Sequence, residues 1–79
     1  MWHEGYIGIP QKDGSTVRVR YQVKSYEEGS EFGIDEGRIS KLWLQIDGQE
    51  VANYDRGWDM RPTCEAAELA LCILLNDYN

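Results

Sequence analysis

Hydrophobic and polar residues alternate most regularly in the segment from Thr16 to Tyr26. Successive side chains of a β-strand point to opposite faces of a sheet, so this alternation predicts a half-buried strand. The core face would hold Val17, Val19, Tyr21 and Val23, and the other face would hold Arg18, Arg20, Gln22 and Lys24. The segment therefore predicts a strand with a basic stripe on its solvent side.

A shorter apolar run, "GYIGIP", precedes this strand and ends at Pro10. Asp13-Gly14 lies between the two runs and is typical of a tight reversal. We expect these two segments to form a hairpin.

A second hairpin is predicted in "RISKLWLQIDGQEVANYDRG", because Asp47-Gly48 between alternating segments is a strong hairpin signal. If these two residues form the loop, Leu44 faces Val51 and Trp43 faces Ala52. The core face would then hold Leu42, Leu44, Ile46 and Val51, and the opposite face would hold Lys41, Trp43 and Tyr54.

The last segment predicts a helix that begins at Pro62-Thr63, with Thr63 as the capping residue. The run "LALCILL" is apolar without a break, whereas a helix on a sheet needs only one apolar stripe. With Leu71, Leu74 and Tyr78 against the sheet, another cover is needed for Leu69, Cys72 and Ile73. That cover would be Trp2 and Tyr6, or a second copy of the chain.

Together these elements predict a single α+β domain over residues 1–79. Its sheet has four mainly antiparallel strands with one C-terminal helix packed on it, in the order ββββα. The segment 27–37 joins the hairpins, carries five acids and no base, and predicts a mobile acidic loop. Phe32 and Ile34 are the residues that could hold the middle of this loop to the body of the domain.

Charge and composition narrow the classes of partner. The net charge of −6 disfavours direct nucleic-acid binding and anionic membranes, and it permits a basic protein partner. Solubility alone also accounts for such a charge. Cys64 and Cys72 lie eight residues apart in the predicted helix, too far for a disulfide, and are expected as core thiols in a reducing compartment. We find no signal-peptide pattern and expect a cytoplasmic protein.

Catalytic, metal and cofactor chemistry is not expected. The single histidine, His3, has no acid placed to orient it, and the two cysteines do not have zinc-ligand spacing. The acids of segment 27–36 do not follow the spacing of a calcium loop, and the glycines form no phosphate loop. Asp55 and Asp59 are expected to pair with Arg56 and Arg61 rather than to act as a hydrolytic dyad.

The densest run of chemistry is "NYDRGWDMRPT", residues 53–63. As a structural turn, it would reverse at Gly57 and insert Trp58 into the core ahead of the helix. As a contact patch, it would expose Arg56, Trp58 and Asp59, since Trp and Arg often anchor interfaces. Both interpretations hold together if Trp58 is half-buried.

The segment "FGIDEGRISKLWLQIDGQEVANYDRGWDMRPT", with "LALCILL" behind it, resembles a family of short proteins of unknown function. Such proteins are encoded by gut Clostridia and related Firmicutes, often on phages and mobile elements. The similarity runs from "EGYIGIP" to "DYN", and "GRISKL" and "NYDRGWD" are its most specific parts. The resemblance implies a setting and supplies no catalytic residues.

In that setting, the acidic composition favours a non-enzymatic inhibitor of a host defence nuclease, in the manner of anti-CRISPR proteins. Its carboxylates would occupy a basic nucleic-acid-binding surface. The expected partner-binding residues are Glu27, Glu28, Glu31, Asp35, Glu36, Trp43, Tyr54, Arg56, Trp58 and Asp59. The alternatives are a homodimeric accessory protein joined through the helix, and a sponge for a signalling nucleotide held by Arg18, Arg20 and Lys24.

Overall fold

The chain folds into a five-stranded antiparallel sheet followed by one α-helix. This computed structural model describes residues 1–79. The strands are β1 (Trp2–Pro10), β2 (Thr16–Ser25), β3 (Ile39–Ile46), β4 (Gln49–Asp55) and β5 (Trp58–Met60). Helix α1 spans Glu65–Tyr78, and a short 3₁₀ helix spans Ile34–Glu36. The predicted α+β class with a C-terminal helix is confirmed, but the count of four strands is wrong.

The additional strand, β5, lies within the run that was expected to be a turn. It pairs with β4 through Asn53–Met60 and Tyr54–Trp58. The reversal that permits this pairing occurs at Arg56, whose φ is 60°, and not at Gly57 as predicted. A strand of three residues is too short to produce a readable alternation.

The strands follow one another in sequence order, so the sheet is a meander. Its two faces differ. One face, the helix face, carries Val19 and Val23 of β2 with Leu42 and Leu44 of β3, all fully buried beneath α1. The other face, the open face, carries the alternate side chains. The predicted two-sided character of β2 is confirmed.

The second hairpin has the predicted two-residue loop, because β3 ends at Ile46 and β4 begins at Gln49. Asp47 and Gly48 both have positive φ, 50° and 79°, as a type I′ turn requires. The predicted register beyond the loop is wrong, however. The ladder shifts by one residue, so that Leu44 pairs with Ala52 and Val51 is the extra residue of a β-bulge.

This bulge determines which side chains of β4 enter the core. Val51 and Ala52 are both buried, and Tyr54 pairs with Leu42 on the helix face with only 7% of its surface exposed. Trp43 and Lys41 pair with Asn53 and Asp55 on the open face. The prediction that Tyr54 shares a face with Trp43 and Lys41 is therefore wrong.

Helix α1 meets the sheet through small residues, which allow a close approach. Its buried residues are Ala66, Ala67, Ala70 and Leu74, with Leu71, Leu75 and Tyr78 packed beside them. The N-cap position is Cys64 rather than Thr63, and no side chain bonds to the helix end there. Thr63 instead donates its backbone N–H to the carbonyl of Val51.

The outer side of α1 is uncovered. Leu69 and Ile73 are 44% and 41% exposed, and Cys72 is exposed beside them. Trp2 and Tyr6 cannot cover them, because both project from β1 on the open face. The prediction of buried cysteines is also wrong, since Cys64 and Cys72 are both free and exposed.

Candidate functional site

The acidic loop, residues 27–36, has a defined shape set by contacts at three points. Ile34 is buried with 2% of its surface exposed. Tyr54 donates its hydroxyl hydrogen to the carbonyl of Phe32 over 2.8 Å. The side chain of Asn79 donates to the carbonyl of Ile34 over 3.0 Å and accepts from the N–H of Ile39 over 2.9 Å. Ile34 thus holds the middle of the loop to the body of the domain as predicted, and Tyr54 and Asn79 add hydrogen-bonded contacts beside it.

All the carboxylates of this loop are directed to solvent. The exposed acids are Glu27, Glu28, Glu31, Asp35 and Glu36. None of them forms an ion pair, because the chain contains one salt bridge, between Lys41 and Asp55 at 3.7 Å. The structure thus presents five unpaired carboxylates on an anchored segment.

Side chains of the run 53–59 lie against this loop. The Arg56 guanidinium stands 4.4 Å from the centre of the Phe32 ring. Trp58 is half-buried and packs edge-on against Tyr54, with ring centres 5.1 Å apart. Asp59 is exposed in β5, where the ladder shifts register. Arg56 thus contacts the acidic loop at Phe32, and Trp58 is linked to it through Tyr54. We call Arg56, Trp58 and the acidic loop together the acidic end.

The arginines of this end do not pair with Asp55 and Asp59 as predicted. Asp55 pairs with Lys41 instead, and Arg61 stands 5.5 Å from the centre of the Trp58 ring. The guanidinium groups thus cover aromatic faces, which attract cations through the ring quadrupole. Trp58 is half-buried, so it packs on the core and keeps part of its ring exposed.

Tyr54 acts behind the acidic end rather than at its surface. Burial raises the pKa of the Tyr54 hydroxyl above its ordinary value, and the Asp35 carboxylate raises it further. The hydroxyl is therefore kept protonated, which its donated bond to Phe32 requires. Tyr54 was predicted as a contact residue, and its place is beneath the loop.

Trp43 lies on the open face, away from the acidic end. Its indole N–H donates to the Glu50 carboxylate over 2.8 Å, and the Asn53 amide donates to the same oxygen over 3.4 Å. These bonds fix the ring plane. Trp43 is thus separated by the sheet from Tyr54 and Trp58, with which sequence reasoning had grouped it.

The open face forms a second group of aromatic and basic side chains, of which Trp2 and Tyr6 were not assigned to a contact site from the sequence. Trp2 and Tyr6 of β1 are 57% and 56% exposed there. Lys24 stands 5.9 Å from the Trp2 ring, and Arg18 stands 4.0 Å from the Tyr6 ring. The alternation of β1 was the signal that could have placed these aromatics beside the basic stripe of β2.

Three further findings concern the single histidine, metal binding and membrane spanning. His3 stacks on the ring of Tyr78 with centres 4.3 Å apart, and Tyr78 bonds to the Tyr21 hydroxyl, which raises the pKa of Tyr21. No group of three or more His, Cys, Asp and Glu side chains converges in a way that could hold a metal ion. Neither helix has the length and apolar content that crossing a membrane requires.

These features define a small α+β domain in which one helix covers one face of an antiparallel meander and the other face stays open. The chain belongs to the family DUF7678, described as a domain of unknown function, whose family model matches residues 1–79. The predicted membership in a family of unknown function is thereby confirmed. No curated protein and no solved structure matches the chain.

Proposed function

We propose that this chain is a non-enzymatic binding protein whose acidic end occupies a basic, nucleic-acid-binding surface of a protein partner. The observation that carries the proposal is the set of five unpaired carboxylates on a loop held in one shape. An anchored loop loses little conformational freedom on binding, and its charge attracts a basic partner from a distance.

The half-buried Trp58 and the exposed Arg56 and Asp59 supply the short-range contacts of this surface. Trp and Arg contribute disproportionately to interface energies. We extend the proposal to a particular class of partner, a nuclease of host defence against phages or mobile elements, where carboxylates would stand in for phosphates.

The test is affinity capture from host lysate at low and high salt, with three forms of the protein. In the first variant, the loop acids Glu27, Glu28, Asp35 and Glu36 become Gln or Asn. In the control, four acids elsewhere are neutralised in the same way: Asp13, Glu65, Glu68 and Asp77. Both variants have the same net charge, so only the position of the charge differs.

We expect wild type and the control to retain a basic nucleic-acid-binding protein at low salt and to release it at high salt. The loop variant should not retain it, and an oligonucleotide should compete for the captured partner. Equal capture by the loop variant and the control would show that the acidic end is not the contact surface.

A second candidate, a homodimeric accessory protein, is favoured by the uncovered side of α1. Leu69 and Ile73 are large apolar side chains with more than a third of their surface in solvent. Dimerisation through this side predicts that Ile73→Asp yields a monomer in sedimentation equilibrium, whereas wild type sediments as a dimer. A monomeric wild type over the accessible concentration range would remove this candidate.

A further inference from the structure

The open face of the sheet carries three cations that form no ion pair, in addition to Lys41. It carries four of the eight basic side chains and three of the fourteen acidic ones. Two of those acids are already engaged, since Asp55 pairs with Lys41 and Glu50 accepts from Trp43. The third acid, Glu4, lies opposite Gln22 and forms no ion pair. The three free cations of β2, Arg18, Arg20 and Lys24, therefore outnumber the one free carboxylate on this face.

Aromatic rings flank this row of cations on both sides. Trp2 and Tyr6 lie on β1, and Trp43 lies on β3. A shallow cavity of about 160 Å³ opens between Trp2 and Trp43 over Gln22. Its lining includes the amides of Gln22 and Asn53, which can bond to the edge of a flat heterocycle.

We propose that the open face binds single-stranded nucleic acid, with bases stacked on Trp2, Trp43 and Tyr6 and phosphates held by Arg18, Arg20 and Lys24. Stacking platforms beside a basic track are what single strands require, since each base offers a flat face and each phosphate a charge. The Glu50 bond holds the Trp43 ring in place before any ligand arrives.

The spacing of these residues fits a strand better than one nucleotide. Strand residues rise by about 3.3 Å, so Arg18 and Lys24 lie roughly 20 Å apart along β2, and Trp2 and Tyr6 lie roughly 13 Å apart along β1. Neighbouring strands are about 4.8 Å apart, which places Trp43 roughly 10 Å across the sheet from β1. Three rings over this area are a platform for about three successive bases.

The overall charge of −6 does not decide the matter, because the charge is segregated. The three acids of α1 lie on the covered side of the sheet. The acidic loop borders the Lys24 end of β2, since Ser30 and Phe32 line one cavity with Lys24 and Lys41, whereas Arg18 and Arg20 lie toward the other end of β2. A ligand over Arg18 and Arg20 meets these cations at close range and most of the acids only through screening salt. The expectation of no direct nucleic-acid contact rested on the net charge of the whole chain, and the charge of the open face differs from that net charge.

The experiment measures the binding of labelled, unstructured oligothymidylate and oligouridylate by fluorescence anisotropy at several salt concentrations. Saturable binding with quenching of tryptophan fluorescence is expected. Trp43→Leu should weaken affinity by about 5- to 100-fold, while Trp43→Phe, which keeps a stacking ring, should retain most of it. Arg20→Gln should lower the slope of log K against log salt by about 0.7.

Matched controls lie outside the open face. Arg38→Gln removes an exposed arginine between the acidic loop and β3, and Phe32→Ala removes an exposed aromatic of the acidic end. Neither should alter oligonucleotide affinity. The loop variant used in the capture experiment should also bind oligonucleotide normally, so the two proposals can fail separately.

Three outcomes would overturn this inference. They are an absence of saturable binding to either oligonucleotide, equal effects of Trp43→Leu and Phe32→Ala, and binding of a free mononucleotide as tight as that of the oligonucleotide. The last would reassign the face to a small nucleotide, the ligand of a sponge.

Discussion

Asn79 joins the acidic loop to the start of β3, and its removal is the most informative test of the loop's fixed shape. Its side chain bonds to the carbonyl of Ile34 and to the N–H of Ile39, both partly buried. Alanine at this position leaves both backbone groups without their partner. The free energy of the unfolded chain does not change, because water bonds to both backbone groups there.

The size of the effect follows from these two bonds. Each contributes about 0.5–1.5 kcal/mol net, and a buried group left unpaired costs about 1–3 kcal/mol unless water reaches it. Because the site is only partly buried, we expect Asn79→Ala to lower the free energy of unfolding by about 2–3 kcal/mol. The total free energy of unfolding of a 79-residue chain is roughly 4–12 kcal/mol, so a loss of this size is a large fraction of it.

The assay is urea unfolding followed by tryptophan fluorescence. With a slope near 1 kcal/mol per molar urea, the midpoint should fall by about 2–3 M. Asn76→Ala makes the same substitution at an exposed position of α1. It should change the free energy of unfolding, measured from the midpoint, by no more than ~0.5 kcal/mol. A difference between the two variants smaller than ~0.5 kcal/mol would refute the anchoring role of Asn79.

Three further outcomes follow from contacts described above. Gly33→Ala should lower the free energy of unfolding by more than about 2 kcal/mol in the same assay, because its Cβ would collide with the backbone of Gly37. Gly57→Ala has open space around its Cβ and should change that free energy by no more than ~0.5 kcal/mol. Equal effects of the two variants would contradict this. The pKa of the Tyr54 hydroxyl is about 10 in the unfolded chain and higher in the folded protein. Its contribution to the free energy of unfolding is therefore complete below pH about 10 and is lost as the pH rises through the folded pKa. Tyr54→Phe should make the urea midpoint fall less between pH about 9 and 11. Both thiols, Cys64 and Cys72, should react with Ellman's reagent in the native protein at rates near those in urea, and a protected thiol would show a cover over α1.

The strands with strict alternation were predictable from sequence because their side chains face either the helix or solvent. Strand β2, Thr16–Ser25, is such a strand. The Asp47-Gly48 loop before β4 was predictable from its turn residues. The bulge at Val51 was not predictable, since the pairing follows the predicted register as far as Gln45–Glu50 and one extra residue then inverts the facing of the side chains from Ala52 onward. That single shift moved Tyr54 from the surface to the core.

The cysteines and the acidic loop show a different limit of sequence reasoning. The apolar run "LALCILL" indicated a helix whose residues Leu69, Cys72 and Ile73 point away from the sheet, and the structure leaves all three exposed. The run could not show that Trp2 and Tyr6 lie on the other face of the sheet, or that the alanines Ala66, Ala67 and Ala70 take the contact positions. The sequence identified Ile34 as a residue that could hold the acidic loop, but it could not identify Tyr54 and Asn79 as further anchors, because both are distant from the loop in sequence.

The meander order of the strands has a consequence for folding kinetics. Every ladder joins strands that are adjacent in sequence. Three of the four connections have two to five residues and close at small entropic cost, whereas the β2–β3 connection has 13 residues. Helix α1 contacts β1, β2 and β3 and is by far the most distant element from β1 along the chain. We therefore expect hairpins in the folding transition state and α1 docking after it, so that Leu74→Ala accelerates unfolding and leaves the folding rate nearly unchanged.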